Sequence, residues 1–234
     1  MEKYIKQTAY SLGADVCGIG SADRFSDAPK GFSPLDLFDR CRSVIAVGIA
    51  LPAGLYEVAP RLLYGHFNLE ACTMVDRLSY KLSREIERKY SCLAVPVPCD
   101  SPNEYWEPES MTAKGLISMK HAAVFCGLGS IGKNSLLINR IYGNRLTVGA
   151  VLTELELSPD SIQPDLCIRN CRKCIESCPV GAISDSCVNQ KLCRSNTYGK
   201  TERGFDTVDC NLCRTVCPMR LGEQNRQGVV TEWN

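Results

Sequence analysis

Apolar residues recur along the first third of the chain with two distinct periods. Tyr4, Ile5, Ala9 and Leu12 fall on one face at helical spacing, so 2–12 reads as a helix, with Gly13 placed to close it. A short strand follows at 15–19. Residues 44–51 form a nearly continuous apolar run, short enough to be a buried strand rather than a helix. The longest helical pattern covers 61–90, where Leu62, Leu63, Leu69, Val75, Leu78, Leu82 and Ile86 are separated by charged residues. Strands are expected at 92–97, ended by Pro98, and at 145–155, with a further helix at 115–125. Together these elements predict an α+β fold, a mixed sheet with packed helices. Pro159 and Pro164 mark 158–165 as a linker to a segment of different character.

Composition narrows the class without naming a function. The chain has 234 residues, 44% of them hydrophobic and 23% charged, which suits a soluble globular protein of one medium domain and one small one. Lys and Arg total 27 against 26 Asp and Glu, so no overall field draws the protein to nucleic acid, which is not expected as a partner. No apolar run approaches the ~20 residues of a membrane span, and no membrane association is expected. The absence of a signal-peptide pattern, with fifteen cysteines, points to a reducing cytoplasm.

The cysteines carry the chemistry. Nine lie between Cys167 and Cys217. The first run reads Cys167-x3-Cys171-x2-Cys174-x3-Cys178-Pro179, and the second, after Cys193, reads Cys210-x2-Cys213-x3-Cys217-Pro218. In a two-cluster ferredoxin segment, three cysteines of one run hold one 4Fe-4S cluster and the fourth, before proline, reaches across to the other. This logic assigns Cys167, Cys171, Cys174 and Cys217 to one cluster, and Cys178, Cys193, Cys210 and Cys213 to the second. Cys187 competes with Cys193 for one place. Zinc accepts thiolates at similar spacings, but the paired Cys-Pro and eight matched ligands favour clusters. A disulfide framework is disfavoured in a chain long enough to build an ordinary core. Cys17, Cys41, Cys72, Cys92, Cys99 and Cys126 sit mostly among apolar neighbours and read as small buried hydrophobes.

A second dense signal is Gly127-Leu128-Gly129-Ser130-Ile131-Gly132-Lys133-Asn134. A dinucleotide turn would require a strand before it and an acid about 20 residues on, whereas a helical pattern precedes it here. A phosphate-binding P-loop would require Ser or Thr where Asn134 stands. The remaining reading is a glycine-rich loop that lets backbone approach a bulky cofactor. It makes Gly127, Gly129, Ser130, Gly132, Lys133 and Asn134 candidate cofactor-binding residues. For Lys133 the competing reading is a surface lysine.

The stretch from His121 through that loop to Ile138 is similar to the "A-x-x-A-G-L-G-W-x-G-K" segment of epoxyqueuosine reductases. Gly149-Ala-Val-Leu-Thr-Glu-Leu-Glu-Leu157 resembles that family's "L-G-x-x-x-T-D-L-x-L" strand. Cys174-Ile-Glu-Ser-Cys-Pro-Val-Gly-Ala-Ile183 resembles its "C-x-x-A-C-P-T-G-A-I", and Cys210-Asn-Leu-Cys-Arg-Thr-Val-Cys-Pro218 its "C-D-D-C-Q-x-V-C-P". The resemblance is dense over 120–220 and only a matter of pattern before that.

The resemblance implies a fold like that of reductive dehalogenases and nitroreductases. It implies a corrinoid-binding domain over 1–160, a ferredoxin-like domain with two 4Fe-4S clusters over 161–222, and a tail over 223–234. It also implies cobalamin as a further cofactor, an external low-potential electron donor of ferredoxin or flavodoxin type, and an oxidoreductase acting on a small-molecule substrate. Three departures bear on this. The family's "Asp-Ser-Ala-Pro", whose Asp is the expected proton donor, would fall near Ala113; the nearest similar string is Cys99-Asp100-Ser101-Pro102. The family tryptophan is replaced by Ser130. The family's helical-repeat tail has no counterpart before Asn234, so the chain reads as a short paralogue. Candidate proton donors are Asp100, Tyr105 and His121. The rival function is an electron-transfer protein, or a reductive activator of another corrinoid protein, with no substrate chemistry of its own.

Overall fold

The computed structural model describes residues 1–101 and 103–223. In chain order the elements are α1 (Glu2–Ser11), β1 (Val16–Ser21), α2 (Pro34–Leu37), β2 (Ser43–Ala50), α3 (Arg61–Tyr90), β3 (Ala94–Val97), β4 (Tyr105–Glu107) and β5 (Thr112–Lys114). Then come α4 (Met119–Phe125), β6 (Ser130–Ile131), β7 (Leu137–Ile138), β8 (Leu146–Thr153), α5 (Lys173–Glu176), α6 (Gln190–Thr197), β9 (Tyr198–Lys200), β10 (Asp206–Val208) and α7 (Leu212–Thr215). Among the described residues no helix is long and apolar enough to cross a membrane. The expected tail lies outside the described residues from 224 onward.

The chain divides into two compact units built from interleaved segments. The first takes Met1–Ala50, Leu69–Leu128 and Thr147–Gln163. Its sheet runs in the order β1-β2-β8-β3, with β1 antiparallel to β2 and β3 antiparallel to β8. The strands alternate as a two-faced sheet requires. Cys17 and Ile19 of β1, Ile45 and Val47 of β2 and Val151 of β8 pack with Ile5 and Ala9 of α1 and Leu78, Leu82 and Ile86 of α3. The intervening Gly18 and Gly20 have no side chain because the carbonyls ending α4 lie there. A Cβ on Gly18 would collide with Cys126 O, and one on Gly20 would come within 2.8 Å of Phe125 O. Pro96 is tolerated in β3 because that strand is a sheet edge. Helix α4 starts at Met119 rather than at 115, because Ser118 caps it by accepting from His121 N. The expected linker is pinned at Asp160, which pairs with Lys6 at 2.6 Å and accepts from Ile19 N at 2.9 Å.

This unit contains thiols that matter to its stability. Burial pushes Cys17 and Cys126 up to about 12 and Cys41 up to about 11. Each folded value is raised above the unfolded one, so the folded state keeps a proton that the unfolded state loses above about pH 8.5. Stability is therefore full below that pH and declines as pH rises towards 11–12. Thermal unfolding followed from pH 7 to pH 10.5 should show the decline, and it should flatten in the Cys17→Ala/Cys126→Ala double variant.

The second unit takes Leu51–Asn68, Gly129–Leu146 and the chain from Pro164. It holds the antiparallel hairpins β6–β7 and β9–β10, the first turns of α3, and the short helices α5, α6 and α7. A small core of Ile138, Leu166 and Met219 packs against Cys167, Ile168 and Cys217. The two cysteine runs fold alike. Helix α5 starts two residues after Cys171 and α7 two residues after Cys210. Ser177 N donates to Lys173 O and Val216 N to Leu212 O, both at 3.0 Å. Cys178 N to Ile175 O and Cys217 N to Arg214 O are both 3.3 Å. The repeat seen in the sequence is thus a repeat of backbone geometry.

Candidate functional site

The segment 129–146 is fastened to both cysteine runs by its polar side chains. Ser130 Oγ donates to Asp165 Oδ1 at 3.3 Å and accepts from Leu166 N at 2.8 Å. Lys133 Nζ donates to the carbonyls of Arg169 (2.7 Å) and Cys171 (3.0 Å), clamping the loop between the first two cysteines. Asn134 Nδ2 donates to Cys213 O at 2.9 Å, and Asn144 Nδ2 to Arg214 O at 3.1 Å, so two asparagines fix the carbonyls of α7. Apart from the Ser130–Asp165 pair, each bond ties a side chain to a backbone group of the cysteine-bearing loops and one-turn helices.

Held this way, Cys167, Cys171, Cys174 and Cys217 line one cleft together with Lys133, Asn134, Ile138, Ile168, Pro218 and Met219. The cleft is narrow, with a cavity volume of about 20 Å³. Burial pushes the Cys217 thiol up, and Cys167, Cys174 and Cys171 add to the push. Burial likewise raises Cys174, with Cys167 and Cys171 contributing. The cysteine before the second proline therefore sits with the first run. In the second run burial lifts Cys213 up to about 11, Arg214 opposes the rise, and Cys193, Cys210 and Cys174 add to it. Cys193, rather than Cys187, is thus the one placed near Cys210 and Cys213. Cys187 is exposed and held in its own turn by Ser184, whose Oγ lies 3.3 Å from its Sγ. Cys178 Sγ accepts from Ala182 N at 3.2 Å, a backbone bond of the kind that supports a thiolate ligand.

The donor set fits a polynuclear cluster better than a single ion. One zinc at about 2.3 Å from each sulfur draws four sulfurs within about 3.8 Å of one another. Among the described residues no group of three or more His, Cys, Asp or Glu side chains is arranged to hold a metal ion. A cubane distributes its thiolates over four irons, and four thiols spread round one apolar cleft meet that demand.

The glycines of 127–134 are crowded by the protein itself. A Cβ on Gly127 would come within 2.6 Å of Ser161 O. One on Gly129 would collide with Ile138 O, and one on Gly132 would lie 2.8 Å from Ile138 Cδ1. The loop follows a helix, α4, and not the strand that a dinucleotide turn requires.

The three candidate proton donors have separate, local surroundings. Tyr105 is 42% exposed; its hydroxyl lies 3.3 Å from Glu107 Oε2, and Lys114 Nζ sits 5.3 Å from its ring centre. His121 is exposed and its Nδ1 lies 2.7 Å from Ser118 Oγ. Asp100 is exposed, beside the Cys72 and Cys99 thiols. Among the described residues no hydrogen bond joins any two of the three. Tyr56, Asn144 and Arg214 were not found from sequence. The one signal for them was Arg214 itself, standing where the resembling motif carries Gln.

No protein-family model matches the chain. A curated protein of Bacillus subtilis (strain 168) named epoxyqueuosine reductase is 25% identical over 255 residues, covering 95% of this chain and 64% of its own length. The chain thus spans about two thirds of that relative. Among solved structures, epoxyqueuosine reductase with an epoxyqueuosine-modified tRNA stem loop superposes with a TM-score of 0.65 at 18% identity, over 94% of this chain and 65% of that one. A reductive dehalogenase, whose structure is described as suggesting a mechanism for B12-dependent dehalogenation, superposes with a TM-score of 0.68 at 19% identity, over 92% of this chain and 31% of that one. By sequence the chain is a homologue of epoxyqueuosine reductases, and its fold is the one they share with reductive dehalogenases.

Proposed function

We propose that the protein is an iron-sulfur oxidoreductase, in which two 4Fe-4S clusters relay electrons to a bound corrinoid that reduces a substrate. The observation that carries this reading is the cleft lined by Cys167, Cys171, Cys174 and Cys217, thiols drawn from both Cys-Pro runs. Residues 161–222 form the ferredoxin-like part, with Cys178, Cys193, Cys210 and Cys213 holding the second cluster. Within 1–160, the first compact unit furnishes the corrinoid side, and Asp100, Tyr105 and His121 are the candidate proton donors. A bound corrinoid would supply the low-potential reducing centre. The chain's own residues do the rest. The cysteines hold iron, Ser130, Lys133 and Asn134 keep the cysteine loops in place, and Ile138, Ile168 and Met219 keep water from the first cluster. An external donor of ferredoxin or flavodoxin type delivers the electrons. The relative solved with a tRNA stem loop makes an RNA-borne nucleoside a substrate class to test beside small molecules.

A second reading has an observation of its own. The candidate acids are all exposed, which suits an electron carrier or a reductive activator of another corrinoid protein. One experiment separates the two. Anaerobically reconstituted protein is mixed with cobalamin under reducing conditions, then desalted and its visible spectrum recorded. The enzyme reading expects cobalamin retained at about one per chain. Retention of none, with iron and sulfide intact, selects the electron carrier.

A further inference from the structure

Arg214 lies in α7, directly after Cys213. Its Nη1 donates to Asn144 O at 2.8 Å and reaches Tyr56 Oη at 3.5 Å, and its guanidinium carbon sits 6.0 Å from the centre of the Tyr64 ring. Tyr56, Tyr64 and Asn144 are 5%, 3% and 1% exposed, so the cation is bedded in a dry layer. Tyr56 Oη also donates to Asn144 O at 3.1 Å. Every one of these partners is neutral. Elsewhere in the same unit arginines find carboxylates: Arg61 pairs with Asp209 at 3.6 Å and Arg220 with Glu57 at 3.5 Å. Among the described residues no carboxylate pairs with Arg214.

A cation withdrawn from water among neutral groups is costly unless an anion lies near. The thiol that feels its charge is that of the adjoining Cys213. Four thiolates on a cubane leave the cluster with net negative charge. We infer that Arg214 is the counter-ion of the cluster held by Cys178, Cys193, Cys210 and Cys213, and that its fixed charge raises the reduction potential of that cluster. The inference rests on the proposed cluster ligation. Reduction brings one electron from the external donor into the cluster and breaks no bond. A fixed positive charge stabilises the more negative, reduced form, and the half-buried, water-poor setting keeps the effect from being screened. Arg214 acts here as a tuning residue, through the cluster's charge. The resembling motif carries a neutral glutamine at this position, so the feature sets this chain apart from the pattern.

The test is an anaerobic redox titration followed by electron paramagnetic resonance, on reconstituted wild type, Arg214→Gln and Arg214→Lys. In Arg214→Gln one cluster should become harder to reduce by a factor of ten or more, which for one electron is about 59 mV. The other cluster serves as an internal reference and should stay put. Arg214→Lys, which keeps the charge and loses the planar fork, should recover most of the shift. Unchanged potentials in a fully loaded Arg214→Gln protein would overturn the inference, as would an equal shift of both clusters. Should Arg214→Gln fail to take up iron, Arg214→Lys decides. Loading with a near-wild-type potential supports the charge role, and failure to load assigns Arg214 to packing alone. Wild-type protein that binds no iron would instead defeat the ligation itself, a result distinct from any of these.

Discussion

Cys217→Ala should remove one cluster whole and leave the other in place, so that iron falls from about eight to about four per chain. The cleft places Cys217 with Cys167, Cys171 and Cys174, although it is 43 to 50 residues from them along the chain. The electrostatic neighbours of its thiol are those three cysteines. A comparison of variants makes the crossing testable. Cys171→Ala and Cys217→Ala should retain the same remaining cluster, with one reduction potential and one resonance spectrum. Cys210→Ala should retain the other. Were Cys217→Ala to match Cys210→Ala instead, each run would hold its own cluster and the exchange would be wrong. Cys187→Ser should keep both, because its thiol is exposed and already engaged with Ser184.

Much of this was legible in the sequence because the signals were local. The bounds of α3 follow from seven apolar positions at helical spacing between charged residues. β2 follows from a nearly continuous apolar run that a buried strand can hold, and β8 from an alternating stretch. The likeness of the two cysteine runs was legible because Cys-Pro is a backbone statement as well as a candidate ligand. It ends each one-turn helix at the same place in both copies. What stayed hidden depends on contacts between distant segments. Residues 51–68 and 129–146 belong to the cysteine-bearing unit, and nothing in their own periodicity says so. Asn134 and Asn144 act on carbonyls 79 and 70 residues away. Asparagine in a loop has many uses, so its type does not point to a partner. The glycines are ambiguous for the same reason. Their spacing marks places where backbone comes close, and a sequence cannot distinguish an approaching cofactor from an approaching strand.

Gly129→Val is the substitution that separates those two meanings. In the structure a Cβ at this position collides with Ile138 O across the β6–β7 hairpin. A carbonyl in a paired strand cannot swing aside as a flexible side chain can, so the hairpin must open. Ile138 is 1% exposed, packs with Leu166 and Met219, and lines the cleft of the first cluster. Ser130, on the same hairpin, holds Asp165 and Leu166 just before Cys167. Opening the hairpin therefore loosens the first cluster's own wall. We expect a loss of about 3 kcal/mol or more in stability, as for overpacking at a site that cannot relax. We also expect loss of about four irons per chain, with Cys167, Cys171, Cys174 and Cys217 newly open to alkylation. A glycine kept for an approaching macrocycle would behave otherwise. Cobalamin retention would vanish while iron content, thermal midpoint and thiol protection stayed at wild-type values. That outcome would return Gly129 to the cofactor face and require the hairpin to give way at little cost.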